Sequence, residues 1–155
     1  MTLQIRVDDL TGEATCALIA AHLDAMHAQT PAESVHALGV EQLRHPDITV
    51  WSAWDSDDLA GVGALQRRDA AHGEIKSMRV APTHLRRGVA RALLRHIMAE
   101  ARAMGLVRLQ LETGSGADFA AARALYLGEG FTPCGPFADY TDDPLSTYFA
   151  QDLPQ

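Results

Sequence analysis

The hydrophobic and polar positions near the start of the chain alternate first as in a strand and then as in a helix. Gln4 to Val7 follow the two-residue period of a short strand. Beyond Thr11, which we expect to be the helix N-cap, apolar positions at Ile19, Leu23 and Met26 are spaced by four and three residues. This spacing predicts a helix that ends at about Gln29.

The middle of the chain has the pattern of three consecutive strands separated by polar turns. The first is ITVWSAW, from Ile48 to Trp54, which ends at a cluster of Asp and Ser residues. LAGVGALQ forms the second strand, and EIKSMRV, from Glu74 to Val80, forms the third. Since the connections are short, we expect these strands to form a meander.

After Pro82 the hydrophobic period becomes that of a helix, which we expect from about Arg87 to Met104. Gly105 follows at the position where a glycine commonly ends a helix. One face of this helix is apolar and another is basic. The apolar stripe consists of Val89, Leu93, Ile97, Ala101 and Met104, and the basic face of Arg87, Arg91 and Arg95.

The last third of the chain predicts a half-buried strand, a helix and two short strands. VRLQLET alternates from Val107 to Thr113, and the helix extends from Ala117 to Gly128. The short strands are expected at Phe131–Cys134 and Ser146–Asp152. Together these elements predict an α/β protein of the α+β type, with a mixed, largely antiparallel central sheet flanked by helices.

Length and composition indicate one globular domain over residues 1–155, since 47% of the residues are hydrophobic and 21% are charged. No apolar run reaches the roughly 20 residues of a membrane span, and the first residues lack the pattern of a signal peptide. Cys16 and Cys134 form no CxxC pair and no zinc-finger spacing. We therefore expect a reduced, cytoplasmic protein without a metal site or a membrane contact, with a disulfide as the alternative.

The net charge of −7 argues against nucleic-acid binding, but the charge is unevenly distributed. No acidic residue lies between Glu74 and Glu100, and this basic window contains several cations. A local anionic ligand and a solvated basic helix face both account for it. The cations are Lys76, Arg79, Arg86, Arg87, Arg91 and Arg95, with His84 and His96.

The segment LRRGVARALL places arginines at a helix N-terminus, where the helix dipole disfavours cations. A phosphate bound there would reverse this preference, because the first helical amides have no partner within the helix and point outward. Gly88, which has no Cβ, lets such an anion approach the backbone. The segment is not a Walker loop, since it has no GxxxxGK[ST] pattern.

Two motifs resemble the GNAT N-acetyltransferases. MRVAPTHLRRGVARALL is similar to their acetyl-CoA-binding motif, a strand followed by [QR]xxGx[GA] at the start of a helix. ARALYLGEGF, residues 122–131, is similar to a later helix of that family, and the strand LQLET lies between the two. The resemblance covers about residues 48–150 and implies a GNAT-like fold with acetyl-CoA as the acyl donor.

The resemblance also implies how acetyl-CoA binds. Its pantetheine arm would pair with the edge of the strand at Met78, and its pyrophosphate would lie on the amides of residues 86–90. Leu85 and Phe119 depart from the family pattern, which has Arg or Gln and often Asn at these two positions. The implied cofactor-binding residues are Met78, Arg79, Val80, Arg86, Arg87, Gly88, Val89, Ala90 and Arg91.

Two catalytic residues follow from the resemblance. Tyr126 has the position of a tyrosine that gives a proton to the leaving sulfur in many GNAT enzymes, and the alternative is a core residue beside Leu125. Glu74 is the candidate base, acting directly or through a water, and its alternative is a surface carboxylate at a hairpin end. Glu112, on the polar phase of its strand, is the rival base.

The acceptor pocket is expected at PAESVHALG, where this family commonly builds it. Ser34 and His36 are the candidate substrate-binding residues there, together with Glu112, and the alternative is a loop histidine without a role. His22 and His27 are expected on the surface of the first helix.

The function that these features predict is acetyl transfer from acetyl-CoA to a primary amine of a small molecule or peptide by direct attack. The alternative is a non-catalytic acyl-CoA-binding regulatory module with the same fold. A homodimer is compatible with the sequence, and nothing in the sequence decides it.

Overall fold

One seven-stranded sheet forms the centre of the computed structural model, which describes residues 1–154. The strands are β1 Leu3–Val7, β2 Ile48–Asp55, β3 Asp58–Arg67, β4 His72–Val80, β5 Arg108–Gly114, β6 Thr132–Cys134 and β7 Ser146–Asp152. Their order is β1-β2-β3-β4-β5-β7-β6, and only the β4–β5 pair is parallel. The predicted mixed, largely antiparallel sheet is confirmed. Gln155, the last residue of the expected domain, lies outside the described residues.

In the described part of the chain, four α-helices flank the sheet: α1 Glu13–Gln29, α2 Val40–Leu43, α3 Val89–Ala103 and α4 Ala120–Gly128. The prediction of Thr11 as the N-cap of α1 is wrong, because Gly12 has that position. The Thr11 hydroxyl instead donates to Asp9 Oδ1 at 2.6 Å. The helix predicted from Ala117 begins with one 3-10 turn before α4.

Helix α3 packs closely on one face of the sheet through the predicted apolar stripe. Val89, Leu93, Ile97 and Ala101 are all buried there. Gly63 permits this close approach, since a Cβ at that position would lie 2.6 Å from Met78 Sδ and 2.9 Å from Ile97 Cδ1. On the opposite face, α1 contributes Leu18 and Ile19 to a second apolar cluster that includes Val62 and Ala64.

Strand β4 contains a bulge that changes which face its side chains occupy. Lys76 pairs with Ala64 of β3 and Arg79 pairs with Val62, so Ser77 and Met78 together oppose the single residue between them. Ser77 has the positive φ of 57°. Consequently Met78 and Val80 pack in the cluster beneath α3, whereas the side chain of Arg79 reaches the α1 side.

Strands β4 and β5 pair only over their first residues and then separate. Their ladder extends from His72↔Arg108 to Ile75↔Leu111 and stops there. A cavity of about 270 Å³ lies at the opening between the two strands. The second half of β4, from Lys76 to Val80, therefore has one edge that no strand in residues 1–154 covers.

Several expectations concern features outside the sheet. Both cysteines are free and half-buried, so no disulfide joins Cys16 and Cys134. Within residues 1–154, no helix has the length and apolar character to cross a membrane. In the same residues, no group of three His, Cys, Asp or Glu side chains is arranged to hold a metal ion.

Candidate active site

The loop between β4 and α3 presents a row of backbone amides without partners. None of the amides of residues 86–90 donates a hydrogen bond within residues 1–154. Arg86 and Gly88 both have left-handed backbones, with φ of 63° and 82°, which turn the chain into the first turn of α3. A Cβ added to Gly88 would meet no atom within 4 Å, so the space above this glycine is open. The loop has the donors and the room that a bound phosphate requires.

The basic window divides into cations with acidic partners and cations without them. Lys76 Nζ lies 3.1 Å from Glu74 Oε2, and His84 Nε2 lies 3.0 Å from Asp55 Oδ2. Arg91 and Arg95 each place Nε 2.9 Å from a carboxylate oxygen of Glu129. In residues 1–154, the arginines of this window without a carboxylate partner are Arg79, Arg86 and Arg87.

Glu129 gives Arg91 a contact that the sequence did not indicate. The hydrogen bond and the charge of Arg95, followed by the charge of Arg91, hold the pKa of Glu129 below its ordinary value. The Arg91 guanidinium is therefore directed to the end of α4 instead of to the open loop. The predicted role of Arg91 in cofactor binding stays a prediction, and the ion pair competes with it.

The unpaired edge of β4 borders the cavity at Lys76, Met78 and Arg79. Beyond Ile75 this edge has no neighbouring strand, so its amides and carbonyls are available to an extended ligand. The edge continues along the chain into the loop of free amides. The predicted pantetheine and pyrophosphate positions are thus contiguous in space.

Tyr126 of α4 is both a core residue and a cavity residue. Its ring lies 5.9 Å from that of Phe131 and 6.3 Å from that of Phe149, measured between centroids. The residue also lines the cavity, and its hydroxyl has no hydrogen-bond partner within the described chain. Burial, and secondarily the charge of Glu112, raise the pKa of Tyr126 above its ordinary value. The phenol therefore keeps its proton at neutral pH.

Glu74 is deeply buried, and the interpretation as a surface carboxylate is wrong. Only 1% of the residue is exposed. Its carboxylate pairs with Arg68 and Lys76 and accepts a hydrogen bond of 2.5 Å from the Tyr140 hydroxyl. Two cations and a phenol therefore engage both of its oxygens, which leaves little of this carboxylate free to contact a substrate amine.

Glu112 of β5 also lines the cavity but has no ion pair within residues 1–154. Burial raises its pKa above the ordinary 4.5, whereas the Ser146 hydroxyl and then the charges of His36 and Lys76 act in the opposite direction. A carboxyl group whose pKa is moved toward neutrality is better matched to proton transfer from an amine than an ion-paired one.

The loop after α1 contributes the predicted acceptor residues to the same cavity. Ser34 donates a hydrogen bond of 2.6 Å to Asp143 Oδ2, which connects two segments far apart in sequence. His36 makes an edge-to-face contact with Tyr140, with 4.8 Å between the ring centroids. Both residues border the cavity, as does Glu112.

A model of the Acetyltransferase (GNAT) family matches residues 15–131. These residues include β4, β5, α4 and the free-amide loop, the loop of residues 86–90 whose amides have no partners within the described chain. The chain belongs to the GNAT acetyltransferase family. Its relatives include the uncharacterized N-acetyltransferase YsnE of Bacillus subtilis (strain 168), 53% identical over 97% of this chain and 100% of that protein. Another is the uncharacterized N-acetyltransferase YedL of Escherichia coli (strain K12), 52% identical over 96% and 94%.

A solved structure shows the same fold at low sequence identity. A GNAT family acetyltransferase of Elizabethkingia anophelis, crystallised with acetyl-CoA bound, superposes with a TM-score of 0.72 at 16% identity. The match covers 97% of this chain and 98% of that one. With the family and its relatives, this identifies the protein as an acyl-CoA-dependent acetyltransferase.

Some residues of this GNAT cavity are not evident from the sequence. His22 was predicted on the surface of α1, but it lines the cavity and its Nδ1 is buried without a partner in the described chain. Burial, and then the charge of Arg79, lower the pKa of His22 to about 4. Tyr140 and Asp143 lie in an irregular segment where no periodic pattern singles them out. For Lys76, the sequence gives one indication that it belongs to the site: it lies in the basic window that contains no acidic residue.

Proposed function

We propose that this GNAT enzyme transfers the acetyl group of acetyl-CoA to a primary amine of a small molecule or peptide by direct attack. The observation that carries the proposal is the separation of β4 from β5 beyond Ile75. It brings an unpaired strand edge, a phenol and a carboxyl group to one cavity.

Residues of β4 and the following loop are suited to hold the donor. The pantetheine amides would complete the hydrogen bonds of the β4 edge at Met78, Arg79 and Val80, as an added strand does. The amides of residues 86–90 would donate to the pyrophosphate, and Arg86 and Arg87 would add charge there. The acetyl-CoA-bound structure of the Elizabethkingia relative supports this donor for the shared fold.

Tyr126 is proposed as the donor to the leaving sulfur. Its hydroxyl borders the cavity and has no competing acceptor within residues 1–154. Because burial raises its pKa, the phenol stays protonated, and it stabilises the developing thiolate by a hydrogen bond before any proton moves. The backbone amide near Met78 is proposed to polarise the acetyl carbonyl.

Glu112 is proposed as the base in preference to Glu74. Both side chains line the cavity, but Arg68, Lys76 and Tyr140 already engage Glu74. Glu112 has no ion pair within residues 1–154, and burial raises its pKa, which suits it to accept a proton from an amine. Glu74 would then position Lys76 and Tyr140 instead of acting on the substrate.

The bond changes of the proposed reaction balance with these residues. The neutral amine nitrogen forms a bond to the acetyl carbon while the carbon–sulfur bond breaks. Glu112 accepts the proton that the nitrogen loses, and Tyr126 supplies the proton that the thiolate gains. Proton return from Glu112 to Tyr126 through solvent restores both groups, so no other reactant is needed.

Tyr126→Phe tests this mechanism with a matched control in Tyr148→Phe. Tyr148 is a buried tyrosine that donates 2.8 Å to the Thr141 carbonyl. We expect Tyr126→Phe to lower kcat by about 10²-fold or more with little change in acetyl-CoA affinity. Tyr148→Phe should change stability and leave kcat within about 3-fold, because its hydroxyl donates to a backbone carbonyl and the residue does not line the cavity.

The measurements are free-CoA release on a panel of primary amines and acetyl-CoA affinity by calorimetry. Full activity of Tyr126→Phe would eliminate the proposed donor. If acetyl-CoA binds but no amine in the panel releases CoA, the chain behaves as a non-catalytic acyl-CoA-binding module. The names of its N-acetyltransferase relatives favour the enzyme.

A further inference from the structure

Arg79 is the one cavity-lining arginine, and its charge has no acidic partner within residues 1–154. The guanidinium makes no hydrogen bond to the described chain, and its Nε is fully shielded from solvent. Lys76, the neighbouring cation, has an ion-pair partner in Glu74 at 3.1 Å. A half-buried guanidinium without an acceptor is unfavourable, because buried polar groups lose their hydration.

The bulge at Ser77 places this charge against α1. If the side chains alternated strictly from Ile75 onward, Arg79 would fall on the α3 face, where Met78 and Val80 now pack with apolar neighbours. On the α1 side Arg79 lies close enough to His22 for its charge to depress the pKa of the imidazole. The His22 ring is therefore neutral at pH 7 and does not compete for an anion.

Two further polar atoms at this end of the cavity are buried without a partner in the described residues. They are His22 Nδ1 and Ser77 Oγ, and both residues line the cavity with Arg79. Three unsatisfied polar groups on adjoining walls indicate a position for a ligand with hydrogen-bonding atoms. One cation and two neutral groups suit a singly charged anion better than a phosphate dianion.

We infer that the acceptor is an amino carboxylate whose carboxylate binds Arg79, with His22 and Ser77 beside it. The inference rests on the proposed acetyl transfer and specifies its substrate class. Glu112 on β5 would receive the amine end while Arg79 on β4 holds the acid end, so the two strands recognise opposite charges. An arginine is suited to this task because its planar donors match a carboxylate.

The donor is a weaker explanation for the Arg79 side chain. Acetyl-CoA is proposed to use the backbone edge of β4 and the loop of free amides, where Arg86 and Arg87 supply charge. The Arg79 guanidinium lies on the other side, against α1. Arg79→Gln should therefore leave acetyl-CoA affinity within about 3-fold of the wild type.

The first test compares matched amines with and without a carboxylate. L-Phenylalanine is paired with 2-phenylethylamine, and 4-aminobutyrate with butylamine, in an assay of CoA release. The wild type should prefer a carboxylate-bearing member by about 10-fold or more in kcat/KM. Arg79→Gln should abolish that preference, so that kcat/KM for the carboxylate-bearing member of each pair falls to about that of the plain amine. The control Arg102→Gln, which removes an exposed charge from α3, should keep it.

A second test does not depend on turnover. Binding of 3-phenylpropionate, which has the carboxylate but no amine, is measured by NMR line broadening in wild type and Arg79→Gln. If Arg79→Gln abolishes the binding of 3-phenylpropionate, the anion site is supported. If the same wild-type enzyme acetylates no amine, the proposed function is contradicted while the anion site stands. Turnover without any preference for carboxylates, together with no 3-phenylpropionate binding, overturns the inference and leaves the proposed function intact.

Two other results would also overturn the inference. A loss of acetyl-CoA affinity of about 10-fold in Arg79→Gln would make Arg79 a donor-binding residue. A stronger preference for O-phosphoethanolamine than for either amino carboxylate would assign the site to a phosphate.

Discussion

Replacing His22 by Gln should reduce the loss of folding stability that the protein shows as the pH falls below about 6.5. His22 is largely buried on α1, and its burial and the charge of Arg79 lower its pKa from 6.5 to about 4. Because the folded-state pKa lies below the unfolded one, the folded protein binds fewer protons in this range. Its stability is therefore complete above about pH 6.5 and falls as the pH drops toward 4. Glutamine has no charge to acquire and no such dependence.

The magnitude follows from the two pKa values. A pKa difference of one unit corresponds to about 1.4 kcal/mol, so protonation of His22 alone should cost about 2 kcal/mol at pH 5 and about 3 kcal/mol at pH 4. Other groups titrate in the same range, but they are shared by wild type and variant. The difference between the two proteins isolates the contribution of His22.

The assay is urea unfolding of wild type, His22→Gln and His27→Gln from about pH 7 to about pH 4. His27 is an exposed histidine on the same helix, so its replacement controls for the loss of one histidine. Between pH 7 and pH 5, the free energy of unfolding of His22→Gln should fall by about 2 kcal/mol less than that of the other two proteins. Equal acid-side losses in all three proteins would refute the assignment of His22 as a buried neutral group.

The remaining predictions concern the free-amide loop and the base. Gly88→Ala and Gly105→Ala, which change two left-handed glycines with φ of 82° and 83°, should each destabilise the fold by about 1 kcal/mol. Only Gly88→Ala should weaken acetyl-CoA binding, by about 10-fold or more in calorimetry, and equal affinity in both would remove the phosphate site. Glu112→Gln should lower kcat/KM by about 10²-fold at neutral pH, less at high pH where the amine is already neutral. Glu74→Gln should reduce stability and keep the shape of the pH–rate profile, and a reversed result would return the base to Glu74.

The elements that follow from local pattern are those that the sequence predicts well. The apolar stripe of α3 runs through Leu93 and Ile97, and its period alone predicts the buried face. Gly105, predicted to end that helix, has the expected positive φ of 83°. Thr11 shows the limit of such rules. Its hydroxyl donates to the neighbouring carboxylate of Asp9 and therefore does not cap the helix.

The candidate site depends on contacts that no local pattern contains. Tyr140 reaches Glu74 from 66 positions further along the chain, and a carboxylate at the start of a strand gives no indication of that partner. The bulge is equally hard to assign, since EIKSMRV shows it only as a spacing of three between the apolar residues Ile75 and Met78. For this reason the sequence does not predict that Arg79 and His22 line the same cavity.

The unpaired edge of β4 has a consequence for the behaviour of the protein in solution. An open row of amides and carbonyls is a template on which a strand of another molecule can add, and this leads to aggregation. Natural sheets prevent it with bulges and with charged side chains at the edge. β4 has both, the bulge at Ser77 and the cations Lys76 and Arg79, in the part that β5 leaves uncovered. The edge is thus open to a narrow extended molecule but protected against the flat strand of a second protein.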